Sequence, residues 1–268
     1  MKQLGIIGAG KMATAIVVGA LKSGYLQAEQ VLAYDVNAES LRTMSSHGVS
    51  SATSLEELAA NCRYLLLSVK PQVAPGVLTQ LGALLRNDTV IISIAAGLTV
   101  TTMEGYLGHK AKIMPVMPNT PLMVGAGATA VCRVDNLSEE EFSFGKGLFA
   151  AAGIVEEIPA DKLNEIIPIQ GSSPAYIYLL TKYFCEYAVE QGIDFEVANR
   201  MFCQMLVGSA KMMTEMGMTH QQLMEMVSSP GGTTLAGLRS LEEHHLKETI
   251  QTCCEVTVKR AYELGAAK

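Results

Sequence analysis

The sequence predicts an α/β fold in its first part and an all-helical fold in its second part. Short apolar runs alternate with helical patterns up to about position 158, and this alternation indicates a parallel sheet with helices on both faces. Beyond Pro159 no convincing strand pattern follows, and the remaining residues show helical periodicity. We therefore expect one domain at 1–159 and a second, helical domain at 160–268.

A glycine turn joins the first predicted strand to the first helix. The apolar run Lys2–Ile7 leads directly into Gly8-Ala9-Gly10-Lys11-Met12-Ala13. Gly8 permits a tight turn, Gly10 lets a pyrophosphate approach the backbone, and Ala13 lets the helix pack near the strand. Free N–H groups at the helix N-terminus then face the anion. The pattern predicts a Rossmann-type domain that binds a nicotinamide or flavin dinucleotide through Gly8, Ala9, Gly10, Lys11 and Met12.

An acidic residue follows the second predicted strand. The run Gln30–Tyr34 ends at Asp35, which lies 22 positions after Ala13. A carboxylate at this distance from the glycine turn is expected to bind the adenosine ribose. Asp35 is therefore a predicted cofactor residue.

The other elements of the first domain follow in order. Two helices have a capping-box pattern at their start, Ser54 with Glu57 and Ser138 with Glu141. Further strands are predicted at 48–50, 64–69, 89–94, 111–117, 126–132 and 153–158, and a further helix at 38–46.

The second domain contains a helix with little polar surface. Pro174 is a good first-turn residue and Gly192 a good terminator, so we expect a helix between them. It is apolar on most faces, which one small domain cannot bury, and this predicts a homo-oligomer. The methionine-rich stretch from Met201 to Met226 suits either an interface or an ordinary flexible core.

Four further segments are candidates for a substrate pocket. Ser68–Pro71, Ile94–Gly97 and Met117–Pro121 each follow a predicted strand, where ligands bind in open α/β sheets; each is also compatible with an ordinary strand-to-helix turn. The segment Ser228–Thr234 opens a helix and offers serine caps, successive glycine N–H groups and two threonine hydroxyls. It fits either a carboxylate nest, which is a set of backbone N–H groups that binds a carboxylate, or an elaborate N-cap that only caps the start of the helix. Gly171–Tyr176 is a similar glycine–serine turn.

Composition narrows the class of protein. The 268 residues are 49% hydrophobic and 17% charged with a net charge of −6, which argues against a nucleic-acid partner. The sequence has no apolar run of about 18 residues and begins in a strand, so we expect no membrane span, no signal peptide and a cytoplasmic location. The six cysteines have no C-x-x-C spacing, and we expect reduced packing residues and no metal site.

Taken together, the motifs resemble those of a known family. The chain carries, in order, Gly8-Ala9-Gly10, Val69-Lys70-Pro71, Ala95-Ala96-Gly97, Met117-Pro118-Asn119-Thr120-Pro121, Gly171-Ser172-Ser173-Pro174-Ala175-Tyr176, Gly208-Ser209-Ala210-Lys211-Met212 and Ser229-Pro230-Gly231-Gly232-Thr233-Thr234. This set resembles pyrroline-5-carboxylate reductase over essentially the whole chain, and the last segment is its most specific part. The resemblance implies hydride transfer from NADPH or NADH to the cyclic imine of 1-pyrroline-5-carboxylate, giving L-proline in the last step of proline biosynthesis.

The same resemblance implies an assembly and a set of site residues. A Rossmann domain would be followed by a helical dimerisation domain that interlocks with a second subunit, with rings of dimers in many members. Thr234 would be catalytic, with its hydroxyl near the imine nitrogen. The implied substrate residues are Ser229, Gly231, Gly232, Thr233, Thr234, Asn119 and Ser172, and those near the nicotinamide are Ser68, Val69, Lys70, Pro71, Ala95 and Ala96.

Asp35 departs from the family pattern, because members that favour NADPH often carry a small hydroxyl residue there. A carboxylate repels a 2′-phosphate and accepts bonds from a free ribose. Asn37, Ser40 and Arg42 could reach a phosphate if Asp35 turned away. The sequence therefore leaves the choice between NADP and NAD open.

Two other functions remain as alternatives. A beta-hydroxyacid dehydrogenase uses a lysine on the first helix of its second domain, where Lys182 is the only candidate; Glu186, four residues on, makes a helical ion pair the simpler interpretation. A non-catalytic nucleotide-sensing regulator would need the glycine turn but no carboxylate nest. The motifs contain no histidine that could act as a general acid. Reduction of an imine does not need one, because a protonated imine is already an electrophile.

Overall fold

The computed structural model describes residues 2–266. Its strands are β1 Lys2–Ile7, β2 Val31–Tyr34, β3 Ser50–Ser51, β4 Cys62–Leu67, β5 Val90–Ser93, β6 Lys112–Met117, β7 Gly127–Val131 and β8 Gly153–Glu157. Its helices are α1 Lys11–Lys22, α2 Ala38–Ser45, α3 Leu55–Asn61, α4 Ala74–Gly82, α5 Val100–Leu107, α6 Glu139–Ala150, α7 Ser173–Glu190, α8 Phe195–Glu215, α9 His220–Met226, α10 Thr233–Glu243 and α11 Leu246–Ala266. The predicted α/β class with a helical C-terminal part is confirmed.

The strands form one sheet in the order β3-β2-β1-β4-β5-β6-β7-β8. Strands β1 to β6 pair in parallel, as predicted. The expectation of a wholly parallel sheet was wrong at β7, which runs antiparallel to β6, while β8 is parallel to β7. The reason is the connection: only residues 118–126 separate β6 from β7, and a parallel crossover needs a dozen or more.

The sheet is buried on both faces. Along β4, Tyr64 and Leu66 pack into one apolar cluster, while Leu65 and Leu67 pack into the other. Alternate residues of a strand point to opposite faces, so a run that is apolar throughout requires a covered sheet. This confirms the predicted strand at 64–69 as part of a sheet with helices on both faces, although β4 begins at Cys62 and ends at Leu67.

The two predicted capping boxes differ in detail. Ser138 and Glu141 form the complete reciprocal box at the start of α6. At α3, Ser54 accepts a bond from the Glu57 N–H, but the Glu57 carboxylate binds the N–H and hydroxyl of Thr53 instead of the Ser54 N–H. The Thr53 hydroxyl adds a second donor one residue earlier, which explains the shift.

The chain divides into two compact units, Met1–Ser172 with Val256–Lys268, and Ser173–Glu255. The second unit contains helices α7 to α10 and the first part of α11. The domain limits 1–159 and 160–268 stay a prediction. Among the described residues, no helix is long and apolar enough to cross a lipid bilayer.

Helix α7 exposes large apolar side chains over most of its length. Tyr178 is 63% exposed and Phe184 is 56% exposed in the single chain, whereas Cys185 is buried. Helix α8 continues the pattern with Met201 at 71%. Contiguous apolar surface of this kind marks an interaction site.

Candidate active site

The glycine turn between β1 and α1 has the geometry of an anion site. Gly8 adopts φ +91°, and a Cβ there would lie 2.7 Å from the Ser68 carbonyl oxygen, so only glycine fits. Gly10 caps α1 without any side-chain capping bond. A Cβ added at Gly10 meets nothing within 4 Å. Open space therefore faces uncapped N–H groups, which suits the pyrophosphate of a dinucleotide.

Asp35 is held in place by the turn itself. Its Oδ2 accepts a hydrogen bond from the Ala9 N–H at 2.7 Å, and its Oδ1 accepts one from the Asn37 N–H at 2.8 Å. Asn37 in turn caps α2 by accepting a bond from the Glu39 N–H. Sequence patterns do not reveal the Ala9 contact, because it joins residues 26 positions apart.

A cleft of about 330 Å³ brings many of the predicted cofactor residues together. Its lining includes two residues that the sequence did not indicate, Val73 and Val77, which lie at the start of α4 and supply an apolar wall. Their spacing of four on a helix is the signal that could have found them. The predicted residues in this cleft are Gly8, Gly10, Asp35, Ser68, Val69 and Lys70.

The other predicted cofactor residues lie nearby or in the core. Ala9 and Lys11 line a neighbouring cavity, together with His47. Met12 packs against the apolar core. Neither cavity includes Pro71 or Arg42 in its lining. The contacts expected of Met12 and Pro71 with the cofactor stay predictions.

The segment after β5 is closely packed. Ala95 is buried in the core, and Ala96 packs against a small apolar cluster that includes Ala261. Gly97 adopts φ +82°, and a Cβ there would lie 2.7 Å from the Ala261 carbonyl oxygen. Gly97 is therefore needed so that the last turns of α11 can pack closely against the segment after β5. The expected contact of Ala95 and Ala96 with the nicotinamide stays a prediction.

Asn119 uses both ends of its amide within the protein. Its Oδ1 accepts from the Ala128 N–H at 2.9 Å, and its Nδ2 donates to the Gln170 carbonyl at 3.1 Å. Gln170 also donates from Nε2 to the Met117 carbonyl at 3.0 Å. These bonds tie the end of β6 to the π-helical turn Ile167–Gly171, which ends at Ser172. The structure thus gives Asn119 a positioning role, and its predicted contact with substrate is not tested.

The turn Ser228–Thr234 leaves the start of α10 without a side-chain cap. Gly231 adopts φ +74°, and the Gly232 N–H donates to the Ser229 carbonyl at 2.9 Å. Gly232 caps α10 without a side-chain bond, and Thr233 and Thr234 are exposed in the single chain. The geometry agrees with the expected carboxylate nest more than with an elaborate N-cap, because no serine hydroxyl caps this helix.

Further groups of the described residues that could react include the cysteines, Lys182 and potential metal ligands. All six cysteines are free; burial raises the pKa of Cys62 to about 11 and that of Cys132 to about 12, which makes both thiols inert. Cys203, on α8, is exposed in the single chain, and the expected packing role of its side chain stays a prediction. Lys182 lies 3.6 Å from Glu186, the expected helical ion pair. No group of three or more potential metal ligands occurs among the described residues.

Comparison with known proteins covers both parts of the chain. Residues 160–264 match the family model described as pyrroline-5-carboxylate reductase dimerisation, and residues 3–97 match NADP oxidoreductase coenzyme F420-dependent. Pyrroline-5-carboxylate reductase 3 of Rattus norvegicus is 31% identical over 98% of this chain and 96% of its own length. The pyrroline-5-carboxylate reductase of Escherichia coli (strain K12) is 33% identical over 96% of this chain and 98% of its own.

The chain belongs to the pyrroline-5-carboxylate reductase family. The predicted resemblance is thereby confirmed. A crystal structure of Plasmodium falciparum pyrroline carboxylate reductase with NADP bound superposes with a TM-score of 0.90 at 30% identity, covering 99% of this chain and 98% of that one. That protein therefore shares this fold from end to end.

Proposed function

We propose that this chain reduces 1-pyrroline-5-carboxylate to L-proline with NADPH or NADH as hydride donor. The observation that carries the proposal is the end-to-end agreement with curated pyrroline-5-carboxylate reductases. The glycine turn adds a site of the right chemistry, with a φ > 0 glycine, an uncapped helix and a cleft beside it. The alternatives, a beta-hydroxyacid dehydrogenase and a non-catalytic regulator, are not favoured.

The bound dihydronicotinamide supplies a hydride to the imine carbon. The N–H groups at the start of α1 hold the pyrophosphate, and Asp35 accepts bonds from the ribose. Val69 and Lys70 lie in the same cleft and would line the bound cofactor. Productive transfer needs donor and acceptor atoms within about 3–3.5 Å, so orientation is the main task of the protein.

The turn at the start of α10 anchors the substrate carboxylate. The N–H groups of Thr233 and Thr234 open the helix, and the helix dipole favours an anion there; the Gly232 N–H closes the turn by donating to the Ser229 carbonyl. Ser229 and Gly231 shape the turn, and Ser172 supplies a further hydroxyl. The Thr234 hydroxyl bonds the imine nitrogen: it accepts from the N–H of the protonated imine, or it relays a proton from water to the neutral imine.

The protein self-associates through its helical part. The matching model describes dimerisation, and α7 leaves Tyr178 and Phe184 more than half exposed in the single chain. We infer a homodimer interlocked through these helices, and its further assembly into a ring of dimers. Sedimentation at micromolar concentration should show a dimer or larger; a folded, active monomer would contradict this.

The free cysteines suit a reducing compartment, and we place the protein in the cytoplasm.

One assay tests the activity. The full chain is mixed with 1-pyrroline-5-carboxylate and NADPH or NADH, and loss of nicotinamide absorbance is followed together with formation of proline. A 3-hydroxy acid with NAD or NADP is the matched substrate for the alternative enzyme. Turnover of the 3-hydroxy acid alone, or of neither substrate, would overturn the proposal.

A further inference from the structure

The cleft beside the glycine turn contains a carboxylate that is fixed on both oxygens. Asp35 Oδ2 is bound by the Ala9 N–H and Oδ1 by the Asn37 N–H, at 2.7 and 2.8 Å. Ala9 belongs to the turn that receives the pyrophosphate, and Asn37 is the N-cap of α2. Turning Asp35 away would break both bonds and leave two backbone N–H groups without their acceptor.

This geometry decides between two arrangements that the sequence left open. A 2′-phosphate fits beside Asp35 only if the carboxylate swings out of the cleft, since two like charges in contact repel. A free ribose needs no such movement, because each carboxylate oxygen has a second lone pair after binding one N–H. The fixed Asp35 therefore matches a ribose with a free 2′-hydroxyl.

Among the described residues that line this cleft, Lys70 is the only one with a positive side chain. Lys70 follows β4, which is separated from β2 by β1, so its backbone lies about two strand spacings, or roughly 10 Å, from that of Asp35. Lys11 and His47 line the neighbouring cavity, and Arg42 lines neither.

We propose that Asp35 is the specificity-determining residue for the cofactor and makes this chain an NADH-preferring reductase. The inference rests on the proposed function, which leaves both cofactors open. The charge of Asp35 discriminates against NADPH, while its bonds to Ala9 and Asn37 keep that charge in the cleft.

Equilibrium binding to the full chain tests this without turnover. Titrations with NADH and with NADPH, followed by nicotinamide fluorescence, should give a dissociation constant at least roughly tenfold lower for NADH. Asp35→Asn removes the charge and keeps one acceptor oxygen; Asp35→Ser removes the charge and shortens the side chain. In either variant the dissociation constants for NADH and NADPH should differ by no more than about threefold, mainly because NADPH binds more tightly. Thermal unfolding of both variants shows whether they are folded.

Glu29→Gln is the matched control, because it removes the same charge from an exposed residue that lines neither the cleft nor the neighbouring cavity. It should leave the NADH to NADPH ratio unchanged. Tighter binding of NADPH by the unmodified chain overturns the inference but leaves the proposed function standing. An unchanged ratio in a folded Asp35 variant also overturns it. Failure to bind either dinucleotide contradicts the proposed function itself.

Discussion

Replacing Gly10 by alanine should separate cofactor binding from folding. Gly10 adopts φ −71° and ψ −176°, an extended conformation that alanine also adopts. The added Cβ meets no protein atom within 4 Å. The methyl group would instead occupy the space through which the pyrophosphate reaches the first N–H groups of α1. We therefore expect Gly10→Ala to fold normally and to bind the dinucleotide weakly.

The two effects differ in size. For folding, the lower entropy of the unfolded alanine chain contributes about 0.4–1 kcal/mol, and the poorer N-cap costs a similar amount, so the unfolding free energy should change by less than about 1 kcal/mol. For binding, the loss of one hydrogen bond to a charged group costs about 1.5–3 kcal/mol. This corresponds to a dissociation constant roughly 10- to 100-fold higher.

Calorimetric titration with NADH and thermal unfolding of the same samples measure both quantities. Gly105→Ala is the matched control: Gly105 lies within α5, and its added Cβ also meets nothing within 4 Å, so cofactor affinity should not change. Gly8→Ala is the opposite case, because φ is +91° and the Ser68 carbonyl is 2.7 Å from the new Cβ; it should lower the melting temperature. Unchanged affinity in folded Gly10→Ala would refute the placement of the pyrophosphate.

Two further predictions concern catalysis and pH. Thr234→Ala should lower kcat/KM with little change in dinucleotide affinity: a loss of about 100-fold or more marks general acid assistance, and one of tenfold or less marks positioning. Thr233→Ala is the control, and a greater loss there at equal stability would contradict the assignment. The His109 ring binds the Lys110 and Gly82 carbonyls at 2.8 and 2.9 Å, which raises its pKa above the usual value because only the protonated ring can donate both bonds. The stabilisation from the charged His109 ring is complete below the unfolded pKa of about 6.5 and is lost as pH rises through the folded pKa. His109→Ala should therefore lower the melting temperature more at pH 6 than at pH 9. Equal losses at the two pH values would argue against the charged ring.

Features that depend on residues close together in the sequence could be predicted from it. Apart from Arg63 near its start, β4 is apolar, so the burial of Tyr64–Leu67 on both faces of the sheet follows from the composition of the strand. The α6 cap follows from the spacing of Ser138 and Glu141. The glycine turn combines both kinds of signal, since an apolar run stops at Gly8 and a helix starts just after Gly10.

Features that depend on distant contacts were missed. The antiparallel pairing of β7 depends on the course of the connection after β6, which a strand pattern does not encode. The bonds of the Asn119 amide to Ala128 and Gln170 were not predicted, because Gln170 is 51 positions away; the substrate contact that the resemblance implies for Asn119 stays a prediction. In the same way, nothing in the local sequence indicates that Asp35 binds the Ala9 N–H.

The way the helices begin connects the fold to the chemistry. Most helices with a described N-cap use a side chain to bind the first N–H groups: Asn37, Ser54, Thr99, Ser138, Asp194 and Thr219. Helices α1, α4 and α10 begin without such a bond, at Gly10, Val73 and Gly232. In α4, Pro75 in the first turn removes one of the N–H groups. Uncapped N–H groups are a cost to stability unless an anion binds them.

The two glycine-capped helices match the two anionic groups of the proposed reaction, the pyrophosphate and the substrate carboxylate. Reduction of a protonated imine removes a positive charge and creates no anion, so it requires no histidine acid. All five histidines are exposed. On the proposed function, it is sufficient to bind the two anions in the correct orientation with the Thr234 hydroxyl near the imine nitrogen, and backbone N–H groups and one threonine would do this.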